Sequence, residues 1–118
     1  MKNTKWFEVF PGAITVTDQD GIILEMNEGS AEMFKDDGGY ALIGHNAITC
    51  HKEPTQTKVR KIYESQKPNI YMITKNGKKQ LVYQATYFIE GKFAGVVELG
   101  LDLPDEIPHF NRDETKDS

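Results

Sequence analysis

Three glycine-centred turn signals constrain this chain more than anything else in it. Asp20-Gly21, Asn76-Gly77 and Glu90-Gly91 each separate segments rich in β-branched and aromatic residues. An Asp-Gly or Asn-Gly pair supplies the positive φ angles that a tight hairpin turn needs. The first signal predicts a hairpin of residues 13–18 and 22–26. The other two predict strands over residues 69–75, 79–89 and 93–101. If these five segments form one sheet, the stretch between the two blocks must lie across a face of it, because no other long segment is available as a cover. That stretch includes residues 42–63, LIGHNAITCHKEPTQTKVRKIY, which hold the only cysteine, Cys50, and two of the three histidines, His45 and His51. Any small-molecule pocket is expected between this stretch and the sheet.

Three helices are predicted around those strands. Trp6 and Val9 or Phe10 stand three and four residues apart, so residues 1–11 are expected to contain a short helix that packs either on the domain's own sheet or on a partner subunit. Pro11-Gly12 ends it. Asn27 suits a helix N-cap, Glu28 suits the first turn, and Ala31, Met33 and Phe34 give a short apolar face. Gly38-Gly39 ends that helix. Leu42 and Ile43 are expected to be buried, with Gly44 allowing a turn. Thr55 is the expected N-cap of a third helix, whose Val59, Ile62 and Tyr63 share one face. Pro68 closes it.

The later strands are apolar on both sides. Leu81, Tyr83, Ala85, Tyr87 and Ile89 share one face of the second-last strand, and Gln80, Val82, Gln84, Thr86 and Phe88 share the other. In the last strand Phe93, Val97, Leu99 and Leu101 oppose Ala94, Val96 and Glu98. A sheet of this kind is expected to carry its own helices on one face, with the other partly covered by the N-terminal segment or a second subunit.

Composition narrows the function classes. A chain of 118 residues, 38% of them hydrophobic, suits one domain with a modest core. Its net charge of −4 argues against a nucleic-acid surface, and Lys58, Lys61, Lys78 and Lys79 read as solvated faces. A lone cysteine forms no internal disulfide. No apolar run approaches the ~18 residues of a membrane span, so a soluble cytoplasmic domain is the simplest expectation. Asp18 and Asp20 are turn formers, no catalytic constellation stands out, and no enzyme activity is expected. His45, His51 and Glu53 match no standard metal-ligand spacing, which leaves His45 and His51 as weak candidates and no metal site expected.

The order of elements, with Asp18, Gly21, Asn27 and Phe34 inside TVTDQDGIILEMNEGSAEMF, resembles a PAS domain. Leu42-Ile43-Gly44 resembles the motif that precedes the family's ligand-facing helices, and the closing GKFAGVVELGLDL resembles its final strand. Residues 43–51 and the basic helix after them are similar to a subgroup with an I-G-x-x-V-x-x-C-H-P pattern, although Lys52-Glu53-Pro54 stands where that subgroup has Pro directly after His. The resemblance spans about residues 7–103. It implies an α+β fold with a five-stranded antiparallel sheet and short helices over one face. The expected organisation is an N-terminal segment, residues 1–11, that could dimerise, a PAS-like domain over 12–103, and a polar, flexible tail over 104–118 in which residues 107–110 could dock.

The resemblance also implies a sensor. PAS domains bind small molecules between sheet and helices, dimerise, and bias an output domain in cis or in trans, here in bacterial signalling or transcription regulation. The residues expected around such a ligand are Phe34, Ile43, Cys50, His51, Val59, Ile62, Tyr83, Tyr87 and Glu98. Light-sensing relatives carry cysteine directly after an Asn; here Asn46 is followed by Ala47, which argues against flavin. Haem, with His51 or His45 as axial ligand, is the alternative cofactor reading. Redox sensing by Cys50 requires a lowered thiol pKa; the plainer reading makes Cys50 a small buried residue and His51 a loop residue bonded to backbone. A dimerisation domain with a collapsed core is the third alternative.

Overall fold

A computed structural model of the chain describes residues 5–113. Expectations for residues 1–4 and 114–118, including the far end of the polar tail, lie outside the described residues. Five strands form one antiparallel sheet in the order β2-β1-β5-β4-β3. They are β1 (Ala13–Thr17), β2 (Ile23–Met26), β3 (Asn69–Lys75), β4 (Lys78–Ile89) and β5 (Lys92–Leu103). The helices are α1 (Lys5–Val9), α2 (Glu28–Met33) and α3 (Thr55–Ser65), with short 3₁₀ turns at Lys35–Asp37 and Gly39–Leu42.

Turn chemistry places the strands. Asn76 and Gly77 have φ of 54° and 79°, Glu90 and Gly91 of 50° and 79°, so both pairs make the two-residue hairpin loop whose twist suits the flanking strands. Lys75 accordingly faces Lys78, and Ile89 faces Lys92. The first hairpin is built differently from the expectation. Only Gly21 has positive φ, at 89°. Asp18 shapes the turn instead, its Oδ1 accepting from the backbone N–H of Asp20 at 2.9 Å and of Ile22 at 3.0 Å.

Asn27 joins sheet to helix. It is fully buried. Its Oδ1 accepts from Ser30 N at 2.9 Å, capping α2, and from Ile14 N at 2.9 Å, extending β1, while its Nδ2 donates to Gly12 O at 2.9 Å. Gly29 lets α2 close on β1, since a Cβ there would overlap the Gly12 carbonyl.

Four local expectations change. Thr55 is the first residue of α3, not its cap, and its side chain caps nothing. Glu53 does that work: its Oε1 accepts from Thr57 N at 3.1 Å and from Thr57 Oγ1 at 2.6 Å. Ile43 is 42% exposed, because Gly44 donates its N–H to Ile23 O at 2.8 Å and turns the chain along β2. Leu42 is half-buried. In α1 the buried residue is Phe7, with Trp6 and Val9 exposed. The helix packs on α2, and Glu8 Oε1 accepts from Tyr40 Oη at 3.1 Å. Beyond β5, Ile107 and Phe110 are exposed, so residues 107–110 do not dock their apolar groups. No helix among the described residues is long and apolar enough to cross a membrane.

Candidate functional site

The sheet face under α3 encloses a cavity of about 320 Å³. Strand alternation decides which side chains of β1, β4 and β5 reach it, and the register shift beside Val16 and Thr17 brings Ile23 of β2 to the same side as Met26. On β1, Thr15 and Thr17 point inward; on β2, Ile23 and Met26; on β4, Gln84; on β5, Val96 and Glu98. The opposite wall comes from Phe34, Asp37, Leu42, Ala47, Cys50 and His51. Helix α3 contributes Val59, Ile62 and Tyr63. The apolar face read at positions 59, 62 and 63 is therefore the face turned to the cavity.

Of the residues expected around a ligand, Phe34, Cys50, His51, Val59, Ile62 and Glu98 line this space. Ile43 does not, for the reason given above. Tyr83 and Tyr87 do not either. Register pairs Tyr83 with Leu99 and Tyr87 with Gly95, and alternation with Gln84 puts both tyrosines on the outer face. Tyr87 has a structural partner there, its Oη donating to Thr17 O at 3.0 Å. Gly95 makes room for that carbonyl, which a Cβ would overlap. His45 is exposed and lies away from the cavity, its carbonyl accepting from Ile23 N at 2.9 Å. Among the described residues no group of His, Cys, Asp and Glu is placed to hold a metal ion.

Thr15 and Thr17, missed from the sequence, and Gln84, whose strand was read but whose face was left open, complete the site. All three add polar groups to its lining. Thr17 Oγ1 shares a hydrogen bond of 2.7 Å with Tyr63 Oη, which pins α3 to β1. Asn46 was also missed. Its Oδ1 accepts from Ile48 N at 2.8 Å and Thr49 N at 3.1 Å, and its Nδ2 donates to Asp20 O at 3.1 Å. It thereby shapes the loop that carries Ala47, Cys50 and His51. An Asn that precedes a turn two and three residues on was the available signal.

Electrostatics single out Glu98. Removal from water pushes its carboxyl above the usual carboxylate range, against the lowering effects of a hydrogen bond from Gln84 and of nearby His51. Burial likewise raises the Tyr63 and Tyr71 phenols, with Glu98 adding to both shifts. Cys50 is exposed at the rim, not buried as the plainer reading had it. Desolvation still pushes its thiol up, and Asp37 adds to the shift. Its Sγ donates to Ala47 O at 3.4 Å. This is the opposite of the lowered pKa that a redox-sensing thiolate requires.

No family model and no curated protein matches the chain. Solved structures do. A C-terminal domain from Streptococcus mutans matches at 26% identity with a TM-score of 0.65, over 78% of this chain and 75% of that one. The Aer2 receptor of Vibrio cholerae, described as a dual PAS-haem oxygen sensor, matches at 17% identity and TM-score 0.60, over 79% and 95%. The PAS domain of Bordetella pertussis BvgS matches at 15% and 0.58, over 86% of each chain. The chain has a PAS fold. Its cavity lies between the sheet and the helices that cross it.

Proposed function

We propose that this chain is a sensory PAS domain that holds a small molecule in the cavity between its sheet and α3, and passes the occupancy to an output domain in cis or in trans. The observation that carries this reading is the cavity itself. At about 320 Å³ it sits at the lower end of the ~300–1,000 Å³ of small-molecule sites. It has the usual make-up of such sites, apolar walls with a few convergent polar groups. A collapsed interaction module would fill this space with side chains. The relay follows from construction. Helix α3 is tied to the strands by the Tyr63–Thr17 hydrogen bond and by Ile62, so a molecule beneath it biases where the helix rests. Exposed Trp6 and Val9 on α1 support self-association as a homodimer, with the sheet as the route from cavity to partner. Bacterial signal transduction or transcription regulation is the setting we favour, with no catalytic role.

Haem is the less favoured occupant. His51 reaches the wall, which supports an axial ligand. The lining also holds Asp37 and Glu98, however, and among the described residues no lysine or arginine to meet two propionates. Native mass spectrometry and an absorbance spectrum on freshly purified protein test the proposal. We expect a small bound mass without a Soret band, lost in Ile62→Trp, which fills the cavity. A Soret band would overturn the small-molecule reading in favour of haem. An apo mass, together with no thermal shift in a metabolite screen, would remove the sensor reading.

A further inference from the structure

The cavity floor carries a polar row that runs in one direction and stops at an open end. Register places Asn69 beside Gln84, Gln84 beside Glu98, and Glu98 beside Thr15. Asn69 Nδ2 donates to Gln84 Oε1 at 2.8 Å. Gln84 Nε2 donates to Glu98 Oε2 at 2.8 Å. Gln84 is thus held at both ends, with its donor aimed at the carboxylate. Thr15 does not continue the row, because its hydroxyl is bonded to Ser30 Oγ. Among the described residues the second carboxylate oxygen, Glu98 Oε1, accepts no hydrogen bond, although Glu98 lines the cavity. Glu98 is half-buried and this oxygen opens on the cavity, so a donor from an occupant can take the place of the water that reaches it.

Charge says which kind of donor. Asp37 adds a second carboxylate to the lining, and among the described residues His51 is the only ionisable base there. An anionic occupant would give up its hydration to face two carboxyl groups without a lysine or arginine among the described residues. An ammonium group would gain a charge-assisted hydrogen bond, the stronger class of such bonds. Met26, Phe34, Val59 and Ile62 then enclose an apolar body.

We propose that the occupant is a small organic cation, an amine on an apolar body, whose N–H group rests on Glu98 Oε1. This rests on reading the cavity as a ligand site. The test compares phenethylamine, 2-phenylethanol and phenylacetate, matched in body and different in head group, by calorimetric titration of the full chain at neutral pH. The amine is expected to bind about tenfold or more tightly than the alcohol, with phenylacetate weakest. Glu98→Gln, checked for an unchanged fold by its amide spectrum, should cut the amine's affinity about tenfold and leave the alcohol's within about twofold. Asp37→Asn, on an exposed turn, should weaken the amine by only about twofold to threefold. Equal or better binding of phenylacetate, or an amine affinity untouched by Glu98→Gln, would overturn the assignment. If the alcohol or phenylacetate binds, and loses its site in Ile62→Trp, without any preference for the amine, the cation proposal fails and the ligand site stands. If none of the three binds at ten-millimolar concentration, both fail.

Discussion

Two asparagine-led polar groups sit on the same sheet and have opposite fates. Around Asn27, every polar atom is consumed. Its carboxamide makes three hydrogen bonds, Ser30 is bonded to Thr15, and both Asn27 and Ser30 are sealed from solvent. Around Asn69, the bonds run in series through Gln84 to Glu98 and end on a carboxylate with an oxygen to spare. A closed group can only hold the fold together. An open one leaves bonding capacity for something that is not part of the chain. Buried polar groups are costly unless satisfied, which is why the group at Asn27 is closed; Glu98 is half-buried and opens on the cavity, where water or an occupant can meet its second oxygen.

The comparison breaks first at Asn27. Asn27→Ala removes a helix cap and leaves the N–H groups of Ile14 and Ser30 and the Gly12 carbonyl without their partner. The expected loss is about 2–4 kcal/mol in chemical denaturation. A loss below about 1 kcal/mol would mean that water enters the site and that it is not closed.

Glu98 gives the next effect, with a sign that depends on pH. Its carboxyl titrates above the usual range in the folded chain, so folding favours the protonated acid. That contribution is fully present below the ordinary carboxylate pKa and is lost as pH rises through the raised folded value. Glu98→Gln, neutral throughout, should therefore melt above the parent at neutral pH, with the gap closing on acidification. His51, Tyr63 and Tyr71 are the other titratable groups that interact with Glu98. His51 is the one basic side chain among them, so repeating the melts in His51→Gln removes its charge from the comparison. A gap that stays constant with pH would show that Glu98 is ionised and solvated at no cost.

What could be read from the sequence divides along the same line. The two C-terminal hairpins were legible because Asn76-Gly77 and Glu90-Gly91 carry their φ requirement locally. Asn27 was legible as a cap because capping is also a local contact. Its bonds to Ile14 and Gly12 were not, since they link residues brought together only by the fold. The face of β4 was ambiguous for a different reason. A period of two separates Tyr83 and Tyr87 from Gln84, but both sets are part apolar, and nothing in the pattern says which set faces inward. Burial settled it in favour of Val82 and Gln84. Ile43 failed for a third reason: an apolar side chain beside Gly44 reads as core, whereas the backbone bond from Gly44 to β2 determines where it points.

The smallest expected effect is the one that separates the two asparagines most cleanly. Asn69 is exposed at the start of edge strand β3, and its side chain makes one hydrogen bond, to Gln84. In Asn69→Ala, water can reach Gln84 Oε1 from that exposed end, so the stability cost should stay near ~0.5 kcal/mol, several times less than at Asn27. Its consequence lies elsewhere. Gln84 loses the donor that fixes which end of its amide faces Glu98, and a turned amide would set its oxygen against the carboxylate. Phenethylamine titration of Asn69→Ala should therefore show about a twofold to threefold change in affinity with the melting curve almost unmoved. An equal loss of stability at the two asparagines would erase the distinction between a closed group and an open row, and with it the reason for placing a ligand on Glu98.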